Sequence, residues 1–403
     1  MSSDPSQDAG SSGPIKPSRL HYIDWLRVLA MLAIFFFHSN RFFDLGGWHL
    51  KNADLSIVSS AFTGLLDLWL MPLFFLLSGV GSWYALKFRS GGRYLLDRVK
   101  RLLIPLYTIG IFVILIPQKY FDAITNEGYS GTFWEGLPFY LRSITDHLHA
   151  HPLFFNVFWG HLWFLQFLFL ISLVTLPLLI YLKSERGQKL INRLAKCCSR
   201  WGGVFLFLIP IILVRIGLES LFAGQINWAS FVYYAVFFII GYIIPADNRF
   251  TDSFKRIGWV CLALGIVGWG VAGLFLSVLG YDYTGRESFT LMFVLFQIVI
   301  GIANWSWVVF ILSLGVKYLN FNNKVVNYGN DAVMPFYVLH QTIILVVGWF
   351  VIQWSIGILP KYLIIIVISF PLIMALYELL IRRFNILRFL FGMRLQKTKQ
   401  RSK

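Results

Sequence analysis

Long apolar runs broken by short polar stretches set the pattern of this chain, and the runs recur at the length of about 17 to 25 residues that a helix needs to cross a hydrocarbon core. The pattern predicts an all-α, polytopic membrane fold of about ten transmembrane helices, near residues 22–43, 57–86, 102–117, 161–182, 202–219, 228–246, 257–280, 289–316, 331–354 and 362–381. The first run does not read as a cleavable leader. Asp24 and Arg27 stand near its start, His38 stands near its end, and no small-residue cleavage site follows.

The breaks between runs alternate in charge. Of the 35 Lys and Arg residues, twenty-seven fall in segments 1–21, 87–101, 183–200, 247–256, 317–330 and 382–403. The connections on the other side hold Arg41, Lys51, Lys119, Arg142, Arg286 and Lys361, and Arg27 and Arg215 lie inside apolar runs. The positive-inside rule therefore puts the basic group of segments, and both termini, in the cytoplasm. Residues 1–18, rich in Ser, Gly, Pro and Asp, read as a disordered cytoplasmic tail, residues 19–385 as the membrane domain, and residues 386–403 as a basic cytoplasmic tail. The connection from about 118 to 160 is rich in aromatics and His and is expected to cap the outer face. Trp48, Trp134, Trp159, Trp163, Trp228 and Trp354 fall near outer span ends, as interfacial aromatics do.

Composition narrows the class further. With 57% hydrophobic and 13% charged residues, the chain is too poor in charge for an ordinary soluble domain, where about 25% is typical. The net charge of +16 sits in the breaks rather than along one soluble face, so it marks topology and not a nucleic-acid partner. Cys197 and Cys198 are neighbours in a basic loop and Cys261 lies in an apolar run, which makes neither a disulfide framework nor a zinc site.

Charges inside a bilayer cost roughly 2.5 to 3.5 kcal/mol each on insertion scales, so those that remain ask for a reason. Arg27 and His38 are eleven residues, about three turns, apart on the first span, and both side chains point the same way. They would line a path across the membrane; the plainer alternative is that Arg27 snorkels to the interface and His38 bonds a neighbouring helix. His340 lies in the ninth span, His161 opens the fourth and Arg215 lies late in the fifth, three further path-lining candidates. Asp67, Glu378 and Glu287 are the acids able to orient a His as a general base. Arg98 and Arg101, three apart, would share a helix face and suit a polyphosphate ligand. The run HLHAH would show His147, His149 and His151 on one face of a strand, but no strand is otherwise indicated and no acidic or Cys ligand is close, so no metal site is assigned.

Several stretches together resemble the membrane-bound acyltransferase-3 family: YIDWLRVLAMLAIFFFH for its first span, LFFLLSG at 73–79, RVKRLLIP at 98–105, HLWFLQFLFL from 161 and MPFYVLHQTIILVVGW from 334. YELLIRRFNILRFLFG and HLWFL look closest to the branch of that family that succinylates periplasmic glucans. Pro72 stands where many members place an acid before the two Phe of the second span. The resemblance implies an O-acyltransferase in the cell membrane, the inner one in a Gram-negative cell, with no bound cofactor. It would take acyl-CoA as donor and a glycan or lipid-linked acceptor on the outer face. It also implies His38 as the catalytic base or the acyl carrier, Arg27 as its partner, Glu287 as a further catalytic acid, and Arg98 with Arg101 as the grip on the donor phosphates. The competing class is a transporter or flippase for an anionic lipid or glycan, which an Arg- and His-lined path would serve equally well.

Reporter fusions after residues 90 and 190 are expected to read cytoplasm, and one near residue 140 the outside. A cytoplasmic reading at 140 overturns the orientation.

Overall fold

The computed structural model describes residues 20–150, 157–222, 227–281 and 289–396, and all regular structure within them is helical. In chain order the α-helices are α1 (His21–Asn40), α2 (Ile57–Asp67), α3 (Leu70–Phe88), α4 (Gly91–Arg98), α5 (Leu115–Asn126), α6 (Phe133–Ala150), α7 (Trp163–Lys183) and α8 (Glu185–Cys198). They continue with α9 (Leu208–Leu218), α10 (Trp228–Ile243), α11 (Asn248–Ser277), α12 (Leu291–Tyr318), α13 (Lys324–Val351), α14 (Ile358–Leu376) and α15 (Asn385–Leu390).

Among the described residues, 9 helical stretches are long and apolar enough to span a membrane, so this is a multi-pass membrane protein. The expected fifth span is the shorter apolar helix Gly203–Leu218. It starts at Gly202, whose φ of 72° only glycine adopts without strain, and its first turn, Gly203–Phe207, is 3₁₀. Two other spans depart from a plain rod. The second is α2 and α3 joined at Leu68–Trp69, which leaves Asp67 at a helix end and places Pro72 in the first turn of α3, where its missing N–H costs no hydrogen bond. The third runs over Gly91–Asn126 and passes through two π-helical stretches, Val99–Leu103 and Leu106–Ile114.

Span starts are capped by short polar side chains that accept from the first exposed N–H groups. Asn227 opens α10 in a capping box with Ser230, Asp247 opens α11, Thr290 opens α12 and Asn323 opens α13. Because lipid gives helices no hydrophobic reason to associate, close backbone approach has to supply the packing. It does so between α3 and α10: a Cβ on Gly79 would lie 2.0 Å from Phe238 O, and one on Gly241 would lie 1.9 Å from Leu76 O. α1 packs along α13, and α11 pairs with α12.

The sparse cations at the end opposite the basic loops are mostly tied down. Arg41 and Lys51 both bind the buried Asp44, and Lys361, 4% exposed, donates to Asn52 Oδ1 at 2.7 Å and Ile352 O at 2.8 Å. Of the tryptophans expected at the interface, Trp134, Trp228 and Trp354 are exposed, whereas Trp48 and Trp163 line an internal cavity. The side chain of Trp159 lies outside the described residues. His147 and His149 stand on the helix α6 and not on a strand. His151 lies outside the described residues, as do residues 1–18 and Glu287, and the described His, Cys, Asp and Glu residues contain no cluster able to hold a metal ion. Cys197, Cys198 and Cys261 are free thiols.

Gly241→Leu is expected to wedge α3 from α10 and to lower the yield and thermal stability of the detergent-purified protein, by more than the roughly 1 to 3 kcal/mol of ordinary overpacking because the obstacle is backbone. Gly217→Ala, with nothing within 4 Å of its added Cβ, should be neutral or slightly stabilising. Both are read from melting curves monitored by size-exclusion chromatography.

Candidate active site

A cavity of about 1940 Å³ runs through the bundle, and α1 supplies one wall. Arg27, Met31, Ile34, His38 and Arg41 face it at spacings of four, three, four and three, the stripe that one face of a helix presents. The same-face expectation therefore holds for His38 and for Arg27. Its guanidinium turns inward, donating to Leu77 O on α3 at 3.2 Å and to Asp24 Oδ1 at 3.4 Å. A Cβ on Gly81 would lie 2.9 Å from Arg27 Nη2, so the absence of a side chain there makes room for the guanidinium.

Three histidines from three helices meet at the far part of this stripe. The His38 and His340 rings are 5.1 Å apart between centroids, and His340 and His161 are 5.0 Å apart. His340 is fully buried and donates from Nδ1 to Tyr337 O at 2.6 Å, which leaves its Nε2 as the acceptor nitrogen. His161 is held on both sides: Nε2 lies 3.2 Å from Tyr337 O and 3.3 Å from Val338 O, while Nδ1 accepts from Gln118 Nε2 at 3.3 Å. Backbone carbonyls thus set the tautomers of His340 and His161. His38 stacks against Trp48 at 6.2 Å, and its buried Nδ1, like His340 Nε2, has no hydrogen-bond partner among the described residues.

His161 reaches this position because Gly160, at φ 48° and ψ −138°, turns the chain sharply into α7. The turn also brings it close to α5, since a Cβ on Gly160 would lie 2.7 Å from Gln118 Oε1. Gln118 is the hub of a buried polar chain. It donates to Thr342 Oγ1 at 2.7 Å and accepts from Gln341 Nε2 at 3.2 Å, and Gln341 donates in turn to His49 Nε2 at 2.8 Å. His49 closes the chain with Asp122, Nδ1 to Oδ1 at 2.6 Å. The loop after α1, α5, α7 and α13 are tied together around the histidines in this way.

The other candidates divide. Arg98 sits behind the cavity wall rather than in it, with Nη2 donating to Ser82 Oγ at 2.6 Å and its guanidinium over the Tyr94 ring. Arg101 is exposed. Arg98 ends α4 and Arg101 lies in the π-helical turn Val99–Leu103, which has more residues per turn than the α-helix assumed for the pair. Leu102 is the cavity-lining residue of that segment. Arg215 lines the cavity with Asp67, well apart in sequence from the histidines, and lies 5.3 Å over the Tyr233 ring. Glu378 does not orient a histidine; it pairs with Arg382 at 2.8 Å.

The acid–histidine pair of the site, His49 with Asp122, was not singled out by the sequence, because both residues lie outside or at the edge of the apolar runs and look like ordinary connection residues. Gln118, Gln341 and Thr342 carried a fainter signal. They are uncharged polar groups in long apolar stretches, which in lipid must find partners inside the protein.

The acyltransferase domain model of the acyltransferase-3 type matches residues 20–378. Among curated proteins, glucans biosynthesis protein C of Escherichia coli (strain SMS-3-5 / SECEC) is 24% identical over 392 residues, covering 94% of this chain and 96% of that one. The protein of the same description from Salmonella agona (strain SL483) is 22% identical over 389 residues, covering 93% and 94%. No solved structure matches the chain.

Proposed function

This chain belongs to the acyltransferase-3 family, whose model spans residues 20–378, and we propose that it carries an acyl group from a cytoplasmic coenzyme A thioester to a hydroxyl of a glycan on the outer side of the cell membrane. As a family member it is a membrane acyltransferase, and the transporter reading loses its ground. The observation that carries the finer reading is the α1 stripe: one cavity, lined by Arg27 nearer the basic loops and by His38 three turns on, offers an anionic donor and an acceptor a common meeting place. The similarity to glucans biosynthesis protein C over 94% of the chain favours a glycan as that acceptor.

In this reading the nucleotide end of the donor stays at the basic loops, where Arg101 is exposed and Arg98 stands behind Ser82, and the thioester reaches into the cavity past Arg27. At His38 the imidazole accepts the proton of the sugar hydroxyl while that oxygen forms its bond to the thioester carbonyl carbon. The carbon–sulfur bond breaks, and the proton held by His38 passes to the departing sulfur, so the products are an ester and free coenzyme A thiol. His38 is suited to the task because it lines the cavity, whereas His340, whose Nε2 is likewise unpartnered among the described residues, is fully buried beside it and His161 is held by carbonyls and Gln118. The enclosing helices limit water, which would otherwise hydrolyse the thioester.

His38→Ala should lower acyl transfer by about 10²- to 10⁴-fold while expression and donor binding stay near normal, since a proton-transfer group acts in the transition state. Transfer at near wild-type rate in the folded variant overturns the assignment. Arg101→Ala should raise the apparent donor KM several-fold with little change in kcat, as loss of uniform binding does. Arg98→Ala should do the same and also lower the melting temperature, because Ser82 and Tyr94 lose the group that holds them. Donor titrations and melting curves separate the two roles, and unchanged donor affinity in both variants returns these arginines to topology alone.

A further inference from the structure

α6 is not among the spanning stretches of the described residues, yet it is fastened to the flank of one. The buried hydroxyl of Tyr140 donates to Ile111 O at 2.7 Å. Ile111 belongs to the uncharged run 109–117 of the third span, and roughly 10 Å of helix separates it from Lys119, the first charge at that end. A tyrosine reaches that carbonyl only if its own helix lies alongside the hydrocarbon-crossing part of the chain, below the charged rim. The next two residues, Phe112 and Val113, are exposed and do not line the cavity, so that flank of the span faces lipid. α6 itself has a defined start in a capping box, Thr132 N–H donating to Glu135 Oε2 at 2.8 Å and Glu135 N–H to Thr132 Oγ1 at 3.4 Å. Its first residue, Phe133, meets the Tyr120 ring of α5 at 5.4 Å between centroids.

The side chains of α6 sort by face. Leu137, Tyr140 and Ile144 pack against the core. Trp134, Pro138 and Leu141, spaced four and three, form a second apolar stripe beside the first, and it is open: Trp134 is 75% exposed and Leu141 41%. Glu135 and Arg142 share a face about a quarter turn further round, away from the core, and both are exposed. Phe139, also exposed, lies beyond them. An open apolar stripe between a packed face and a charged face is the cross-section of a helix lying in a membrane interface, with the stripe among acyl chains and the charges at the headgroups. Continuity with the lipid-facing Phe112 and Val113 selects lipid over water as the occupant. We propose that α6 lies in the bilayer leaflet opposite the basic loops, with Trp134, Pro138 and Leu141 in contact with acyl chains, instead of standing in water as a cap. So seated, it braces α5, which carries Gln118 and Asp122, through the Phe133–Tyr120 contact. The proposal uses no step of acyl transfer.

The test places a spin label at single introduced cysteines of the full-length protein in nanodiscs of phosphatidylethanolamine and phosphatidylglycerol, on a Cys197→Ser parent whose own labelling sets the background. Oxygen, which partitions into lipid, and nickel-EDDA, which stays in water, are compared as relaxing agents. At Trp134→Cys and Leu141→Cys collisions with oxygen are expected to exceed those with nickel-EDDA by about threefold or more, and at Glu135→Cys and Arg142→Cys the order should reverse. Melting curves confirm folding of each variant. Should the cysteine variants misfold, the unaltered protein in vesicles of the same lipids, doped with a phosphatidylcholine bearing a diazirine midway along one acyl chain, gives the second measurement. Photolysis should attach lipid to Trp134 or Leu141 as it does to Phe112 or Val113, read by peptide mass spectrometry. Nickel-EDDA access at the stripe equal to that at Glu135 and Arg142, or labelling of Phe112 and Val113 with none on residues 133–144, makes α6 a solvated cap and overturns the proposal. Exclusion of both reagents from the stripe, with dipolar broadening between labels, gives the face to a second copy of the chain and overturns it equally.

Discussion

A dry hydrocarbon surrounding forces each polar group of a membrane span to find its partner within the protein or along an internal water- or ligand-accessible space, and the arrangement of this bundle follows from that demand. The first helix meets it in one direction. Its cavity stripe carries Arg27, His38 and Arg41 at helical spacing, while Tyr22, Ile23, Leu26 and Ala30 are buried in the core. A single helix thus separates a cavity face from a packing face, and α13 completes the arrangement by setting His340 against His38.

The polar chain from Asp122 through His49, Gln341 and Gln118 to His161 and Thr342 follows the same demand at the far end of the cavity. Its members come from separate segments, and each uses its neighbour to avoid an unpaired group in a low-dielectric interior. The consequence is rigidity where the imidazoles meet. Backbone approach at Gly79 and Gly241 does the complementary work in the apolar part of the bundle, holding α3 beside α10 by contact of main chain on main chain. Asp44 applies the rule to the loop after α1, where one buried carboxylate neutralises both Arg41 and Lys51 and so keeps two cations from standing alone beside the cavity mouth.

Much of the architecture was readable from the chain itself, and for physical reasons. Span length is set by bilayer thickness, so apolar run length alone locates the helices; the fifth, Gly203–Leu218, is shorter than the others and opens with a 3₁₀ turn after Gly202. Helical periodicity likewise determined that Arg27 and His38 share a face, since eleven residues return to the same side of an α-helix wherever it packs. For Arg98 and Arg101 the same arithmetic meets a π-helical turn that begins between them, whose different pitch cannot be read from residue spacing.

What the tertiary structure alone decided was partnership. His38, His161 and His340 lie in three spans more than a hundred residues apart, and no local pattern states that the His340 ring comes within about 5 Å of each of the other two. The acid that orients a histidine proved to be Asp122 with His49, two connection residues, while Glu378, the acid the sequence placed within an apolar run, went to Arg382. Local sequence determines which residues a helix must hide and which face it hides them on, because those are properties of one helix in one solvent. Which hidden groups meet is a property of how several helices pack, and it depends on contacts such as Gly241 against Leu76 and turns such as Gly160 that act between segments rather than within them.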